Sequence, residues 1–423
     1  MTERVQGINT RVEILENGLT VALIHDPLSK VVATCIGIKY GSVYEPSDKN
    51  GIAHRLEHLL FKGTPERTDF EIWKTLRKYG INDDAETGME DTRYYFDTER
   101  MYFSKTFSVL SDMIRNASIP EDAVAAEERV VDIEKLTWEQ RIGDTASEQL
   151  LDIMFEGTPI KTVIGTEESL GSITRNDLVE AYKNYYTPDN SIVIVCGPLR
   201  QSDALRVVKN NLGDWTGTAN TANVTPIFNI QRENREFVVN SADAKMPMFR
   251  IGFETLPVSL SKSKKEHMAL EILKNEIMFR IQDNLRLGDN NGMVYHPVVE
   301  NMYGKYFGLF SIALDTHPKA ELEKVRELLF KEIRRTFEGK IKKSELVEAR
   351  DWLTVRKYLR QENDHPIDIV YNSCNHYIAT GSPRYTEEFV KGVKNISPEY
   401  MMDVAYRFLN PDKAVTLTIL PVK

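Results

Sequence analysis

Apolar and polar positions alternate in short runs over residues 11 to 43, first in Val12-Glu13-Ile14-Leu15 and then, after Glu16-Asn17-Gly18, in Leu19-Thr20-Val21-Ala22-Leu23-Ile24. A two-residue period on both sides of Asn-Gly predicts two strands joined by a tight turn. The apolar run from Val31 to Tyr40, closed by Gly41-Ser42, predicts a third strand. The period then lengthens. Phe70, Trp73 and Leu76 recur at helical spacing within Asp69 to Tyr79, Thr92 to Asp97 is β-branched and aromatic, and Met101 to Ile114 and Pro120 to Gln140 read as helices. Ser118-Ile119-Pro120-Glu121 opens the last of these with a capping-box pattern and a proline near the first turn.

Laid over itself so that Ile396 falls on Ile173, the chain repeats. Ile173-Thr174-Arg175-Asn176-Asp177-Leu178 leads to Tyr185-Tyr186-Thr187-Pro188-Asp189, and Ile396-Ser397-Pro398-Glu399-Tyr400-Met401 leads to Phe408-Leu409-Asn410-Pro411-Asp412. Each block then enters an apolar strand, Ile192 to Cys196 or Val415 to Leu420. Between the halves, residues 213 to 223 are small, polar and aperiodic, which is linker composition. The expectation is an α+β protein of two similar domains, 1–218 and 219–423, each a mainly antiparallel sheet covered by helices.

Composition narrows the class. Hydrophobic residues make up 41% and charged residues 28%, ordinary for a water-soluble globular chain. No apolar run approaches the roughly 20 residues that span a bilayer, and the opening MTERVQGINTRVEILENG lacks an apolar core, so the expectation is a cytoplasmic protein without a membrane partner. A net charge of −9 gives a nucleic-acid partner little support. Cys35, Cys196 and Cys374 are far apart and lack CxxC spacing, and are expected to be reduced and structural.

The candidate chemistry starts at His54-Arg55-Leu56-Glu57-His58. On a helix, histidines at i and i+4 project from one face and can grip one metal ion, with a carboxylate between them; this is the inverted form of the HExxH zinc helix. Neutral imidazoles are good zinc ligands, a catalytic zinc takes three protein ligands, and Glu57 could act as base toward water. With eight histidines in 423 residues, a chance HxxEH arises in about one such chain in a hundred, so a third ligand is needed. The helix Pro120 to Gln140 offers Glu127 and Glu134, two turns apart on one face. One could bind metal while the other sits beside it, or both could belong to a solvated acidic surface.

Several segments, in order, resemble the pitrilysin-like M16 metallopeptidases, specifically the half-length branch of bacterial processing proteases and mitochondrial processing peptidase. Leu15-Glu16-Asn17-Gly18-Leu19-Thr20-Val21 is similar to the family's LxNGLxV opening, and Tyr40-Gly41-Ser42-Val43-Tyr44-Glu45-Pro46 to its GSRYEP. The run from Gly51 to Thr64, GIAHRLEHLLFKGT, is close to GxAHFLEHMLFKGT, and Glu127 to Glu134 matches the acidic helix that follows it. The resemblance implies the LuxS/MPP-like metallohydrolase fold, one Zn2+ bound by His54, His58 and Glu134, Glu57 as general base and Glu127 as a supporting carboxylate. It also implies that Asp84 and Ala85 hold substrate backbone on a sheet edge, with aspartate where the family usually has asparagine, so that one donor is lost. Arg55 replaces the usual phenylalanine and is expected to run outward to solvent.

In the second half, Leu285-Arg286-Leu287-Gly288-Asp289-Asn290-Asn291-Gly292-Met293-Val294-Tyr295 resembles the family's LREExGLAY, with a longer spacing between the arginine and the tyrosine. Arg286 and Tyr295 suit a peptide carbonyl and the oxyanion that grows from it. The resemblance implies a peptide substrate and a homodimer in which zinc comes from one subunit and Arg286 and Tyr295 from the other, a heterodimer with a related half-length chain being the alternative. The expected function is a zinc endopeptidase acting on unfolded peptides inside a chamber formed by the dimer; the rivals are a non-catalytic partner or scaffold subunit and a peptide-binding module.

Overall fold

The computed structural model describes residues 10–228, 233–287, 292–317, 322–354 and 365–422. They form two compact units: unit 1 gathers the described residues of Met1–Lys135, Lys161–Val224 and Tyr358–Thr386, and unit 2 those of Leu136–Ile160, Thr225–Lys357 and Glu387–Lys423. Each unit therefore includes a segment from the opposite half of the sequence.

Unit 1 is built on six strands: β1 (Thr10–Ile14), β2 (Thr20–His25), β3 (Val31–Ile38), β4 (Gly80–Thr87), β5 (Thr92–Glu99) and β6 (Ser191–Gly197). Their order is β1-β2-β6-β3-β5-β4, with β2 and β6 parallel and every other pair antiparallel. Both faces are covered, which is why β2, β3 and β6 read as nearly continuous apolar runs. Val21, Leu23, Ile36, Val193 and Val195 face the core under helices α1 (Ile52–Leu59), α3 (Phe103–Asn116) and α4 (Glu121–Glu139), while α2 (Asp69–Tyr79) packs Ile72 and Leu76 on Val109 and Met113 of α3. Ala22, Ile24, Ala33, Cys35, Ile194 and Cys196 point the other way, onto Ile369, Val370, Cys374 and Tyr377 of the Pro366–Thr380 helix. That helix lies so close that a side chain on Gly37 would strike the sulfur of Cys374. All three cysteines are buried and none forms a disulfide.

Arg93 ties the same helix to the sheet. Its buried guanidinium pairs with Asp91 at 3.0 Å and Glu86 at 2.9 Å, bonds Asn375, and lies 4.5 Å over the ring of Tyr371.

Unit 2 carries β7 (Arg235–Ser241), β8 (Met248–Glu254), β9 (Val294–Tyr303), β10 (Gly308–Thr316) and β11 (Val415–Pro421) in the order β7-β11-β8-β10-β9, β7 and β11 being parallel. Without β1, the first sheet has this same order: first strand, last, second, fourth, third. The sequence repeat lies within this correspondence. Helix Arg175–Tyr185 and helix Pro398–Phe408 are capped by the side chains of Thr174 and Ser397, and each leads through a short Pro-Asp turn into β6 or β11. The Ile142–Met154 helix packs on β8, where a side chain on Gly252 would meet the sulfur of Met154. Among the described residues no helix is long and apolar enough to cross a membrane.

Candidate metal centre and active site

Between β3 and α1 the chain is set by a buried carboxylate. Glu45 accepts hydrogen bonds from the backbone N–H of Gly51 at 2.8 Å and of Ala53 at 2.6 Å, and from Asn50 Nδ2 at 2.8 Å, so it satisfies two of the orphan donors of the first helical turn. Gly51 enters α1 at φ +111°, a conformation that favours glycine, and lies against Leu170 and Ile164 O. Ile52, Ala53, Leu56 and Leu59 then face the core, which turns His54, Glu57 and His58 toward α4 and β4. Val131 anchors α4 in the same core, between Glu127 and Glu134.

The two imidazole rings lie 4.8 Å apart at 75°. Glu134 Oε2 is 3.5 Å from His54 Nε2 and 3.4 Å from His58 Nε2, and one ligand atom from each residue falls within 4.8 Å of the others. Tetrahedral ligands about 2.1 Å from a zinc ion stand about 3.4 Å apart, which is the spacing found here between Glu134 and each of the two histidines. The hydrogen bonding agrees. His58 Nδ1 meets Glu127 Oε2 at 3.0 Å, so Nδ1 carries a proton, and it is the proton on Nε2 that must leave for that nitrogen to serve a metal. Glu127 is buried, and its other oxygen is held by Lys62 Nζ at 2.6 Å. His54 Nδ1 is buried without a hydrogen-bond partner among the described residues. Two imidazoles and a carboxylate, with a carboxylate behind one ring, fit a zinc site.

Electrostatics separates the groups. Burial, then the neighbouring His58, pushes His54 down to about 4, so its ring is neutral. Burial opposes protonation of His58 too, but Glu134, Glu57 and Glu127 together outweigh it and raise the ring above its ordinary value. Glu57 is pushed up to about 7, chiefly by burial, with Glu134 and Asp84 adding and the Thr87 hydrogen bond and His58 opposing. Glu134 is lowered, first by its hydrogen bond with His58. Glu57 thus stands near neutrality as a group able to take and return a proton.

Of the residues expected from sequence, His54, Glu57, His58, Glu127 and Glu134 stand together. Asp84 and Ala85 lie on β4, which pairs with β5 on one side and with no strand among the described residues on the other. Ala85 packs against the core, while Asp84 is exposed and its Oδ1 accepts from the N–H of Ala85 at 2.9 Å. Arg286 lies in the π-helical turn Gln282–Leu287 and half-exposed Tyr295 on β9, both in unit 2; residues 288–291 between them fall outside the described residues. Arg55 does not run to solvent. It is 3% exposed, with Nη2 3.9 Å from Glu128 Oε1, because the acidic face of α4 covers it. Sequence reasoning does not single out Glu45, Lys62 and Thr87, although each leaves a signal: Glu45 ends the Tyr44-Glu45 run, Lys62 follows His58 at i+4, and Thr87 shares a strand face with Ala85.

Fold and site together define an α+β protein with a His-His-Glu centre on two facing helices. Residues 20–167 match the family model of insulinase, peptidase family M16, and residues 172–353 that of the M16 inactive domain. The chain belongs to the M16 family of peptidases. It is 30% identical over 205 residues to a probable mitochondrial-processing peptidase subunit beta of Schizosaccharomyces pombe, a match covering 48% of this chain and 45% of that one. The chain thus spans less than half the length of that relative. With an uncharacterized zinc protease of Rickettsia bellii it shares 25% identity over 410 residues, 95% of both chains. A solved protease from Helicobacter pylori superposes with a TM-score of 0.88 at 19% identity, covering 98% of this chain and 100% of that one, which shows the fold.

Proposed function

We propose that this chain is a zinc-dependent endopeptidase acting on unfolded or extended peptides. The observation that carries it is the convergence of His54 Nε2, His58 Nε2 and Glu134 Oε2 beside a half-buried Glu57. A zinc ion held by these three would supply Lewis acidity toward water and the scissile carbonyl. Glu57 takes the proton of the attacking water and gives it to the departing amine. Glu127 keeps His58 in the tautomer that leaves Nε2 available. The edge of β4 that no described strand pairs supports substrate as an added strand, bound mainly through its backbone, so that flexibility selects peptides more than sequence does.

We further propose a homodimer enclosing the peptide in a chamber, in which Arg286 and Tyr295 of one copy serve the metal centre of the other. A related half-length partner is the alternative, in line with the relatives named as subunits. Three buried thiols support a cytoplasmic location.

The test is Glu57→Gln. The variant is expected to bind zinc stoichiometrically and to lose cleavage of an unstructured peptide by at least about a hundredfold, while a chelator abolishes wild-type cleavage. Cleavage by the zinc-loaded variant at the wild-type rate sinks the mechanism; a wild-type chain that holds zinc and cuts no peptide sinks the enzyme.

A further inference from the structure

Strand β4 ends against the site. Thr87 is 9% exposed, and its hydroxyl donates to Glu57 Oε2 at 2.5 Å. Alternation explains how the hydroxyl reaches there. Ala85 and Thr87 face α1, while Glu86 turns to the other side, bonding Arg93 at 2.9 Å and Tyr371 at 2.6 Å. Thr87 itself is held. It is β-branched, so χ1 is stiff, and it pairs with Thr92 of β5, whose hydroxyl is bonded to Tyr40 O at 2.9 Å.

Glu57, by contrast, has a long side chain with several staggered rotamers, and His58 also attracts its carboxylate. A bound hydroxyl from outside the helix fixes the carboxylate without neutralising it.

We infer that Thr87 is the positioning residue of Glu57, and that it joins the strand that receives the peptide to the base that acts on it. This rests on the peptidase reading of the same site. Peptide laid along β4 and the carboxylate aimed at it then share one rigid element, so the distance from base to substrate backbone is set by strand geometry and not by the helix alone. Asp84 and Ala85 contact the substrate strand in this scheme; Thr87 acts further along the strand, through Glu57.

Thr87→Val removes the hydroxyl at nearly constant volume and keeps a strand-forming side chain, and Thr87→Ser restores the hydroxyl. The expected result with zinc-loaded protein and an unstructured peptide is that Thr87→Val keeps zinc stoichiometry and KM but loses kcat by about tenfold or more, a share of the roughly hundred- to ten-thousandfold a general base contributes. Thr87→Ser recovers most of it. Wild-type kcat in Thr87→Val overturns the inference, as does an equal loss in both variants that follows zinc content or melting temperature. If the wild-type chain cuts no peptide, the peptidase reading fails by itself. Crystal structures then decide the positioning claim: a Glu57 carboxylate displaced in zinc-loaded Thr87→Val upholds it, and an unchanged rotamer overturns it.

Discussion

Glu127 accepts from His58 on the ring nitrogen opposite the one that faces Glu134, at 3.0 Å, so a buried carboxylate orients an imidazole from behind. Such carboxylates raise ligand basicity and fix the ring; removing one typically weakens metal binding about 10- to 100-fold. Glu127→Ala is expected to lose zinc affinity by that factor in a chelator competition. Glu127→Gln, whose amide oxygen can still accept from Nδ1, should lose less.

Zinc affinity and metal-free stability should respond to pH with opposite signs. His58 and Glu57 both have folded values raised above their ordinary ones, so the stability tied to their protonated forms is complete below those ordinary values and is lost as pH rises through the folded ones, about 7 for Glu57. The metal needs His58 neutral and therefore gains over the same interval, while His54, already neutral, does not contribute. Titration calorimetry in buffers of different ionisation enthalpy should register proton release on zinc binding at pH below the raised value of His58, falling away as pH rises through it. Release that does not change with pH would contradict this electrostatic picture.

Arg93 and Asp91 are both buried and 3.0 Å apart. Arg93→Met leaves the Asp91 carboxylate without its counter-ion and releases Asn375 and Tyr371, at an expected cost of about 3–5 kcal/mol in urea unfolding. Adding Asp91→Asn should recover part of that loss. A single variant within about 0.5 kcal/mol of wild type would show that the pair contributes little.

Two inactive variants should complement each other if sites are shared across a dimer. A hybrid of Glu57→Gln with Arg286→Ala has one site carrying both lesions and one carrying neither. Equal random mixing is thus expected to restore about a quarter of wild-type turnover. No recovery after subunit exchange, verified by mass, counts against the shared site.

Legibility from sequence tracks periodicity. β2, β3 and β6 announce themselves as apolar runs, and the acidic face of α4 is visible because Glu127 and Glu134 are spaced by two turns. β4 leaves no periodic signal, and only the family resemblance points to a sheet edge there: Asn82-Asp83-Asp84-Ala85-Glu86 carries three acids, and its conformation comes from pairing with β5. The roles of the Ile142–Met154 and Pro366–Thr380 helices are hidden for another reason. Their apolar faces fit sheets formed by remote sequence, and no local pattern names a remote partner. The burial of Arg55 is equally illegible, because exposure depends on what packs above a side chain, and α4 arrives only after α2, β4, β5 and α3.

The packing of Ile369, Cys374 and Tyr377 against Ala22, Cys35 and Cys196 has a consequence for biosynthesis. On the ribosome, β2, β3 and β6 emerge early with one greasy face bare, and its cover, Pro366–Thr380, is translated only after β7 to β10 and the helices between them. The helix that carries His54 and His58 is made long before the sheet beneath it is sealed. A nascent chain stalled in the second half would therefore expose a sticky surface that a chaperone must shield, and a gene cut at the linker should yield an insoluble first half.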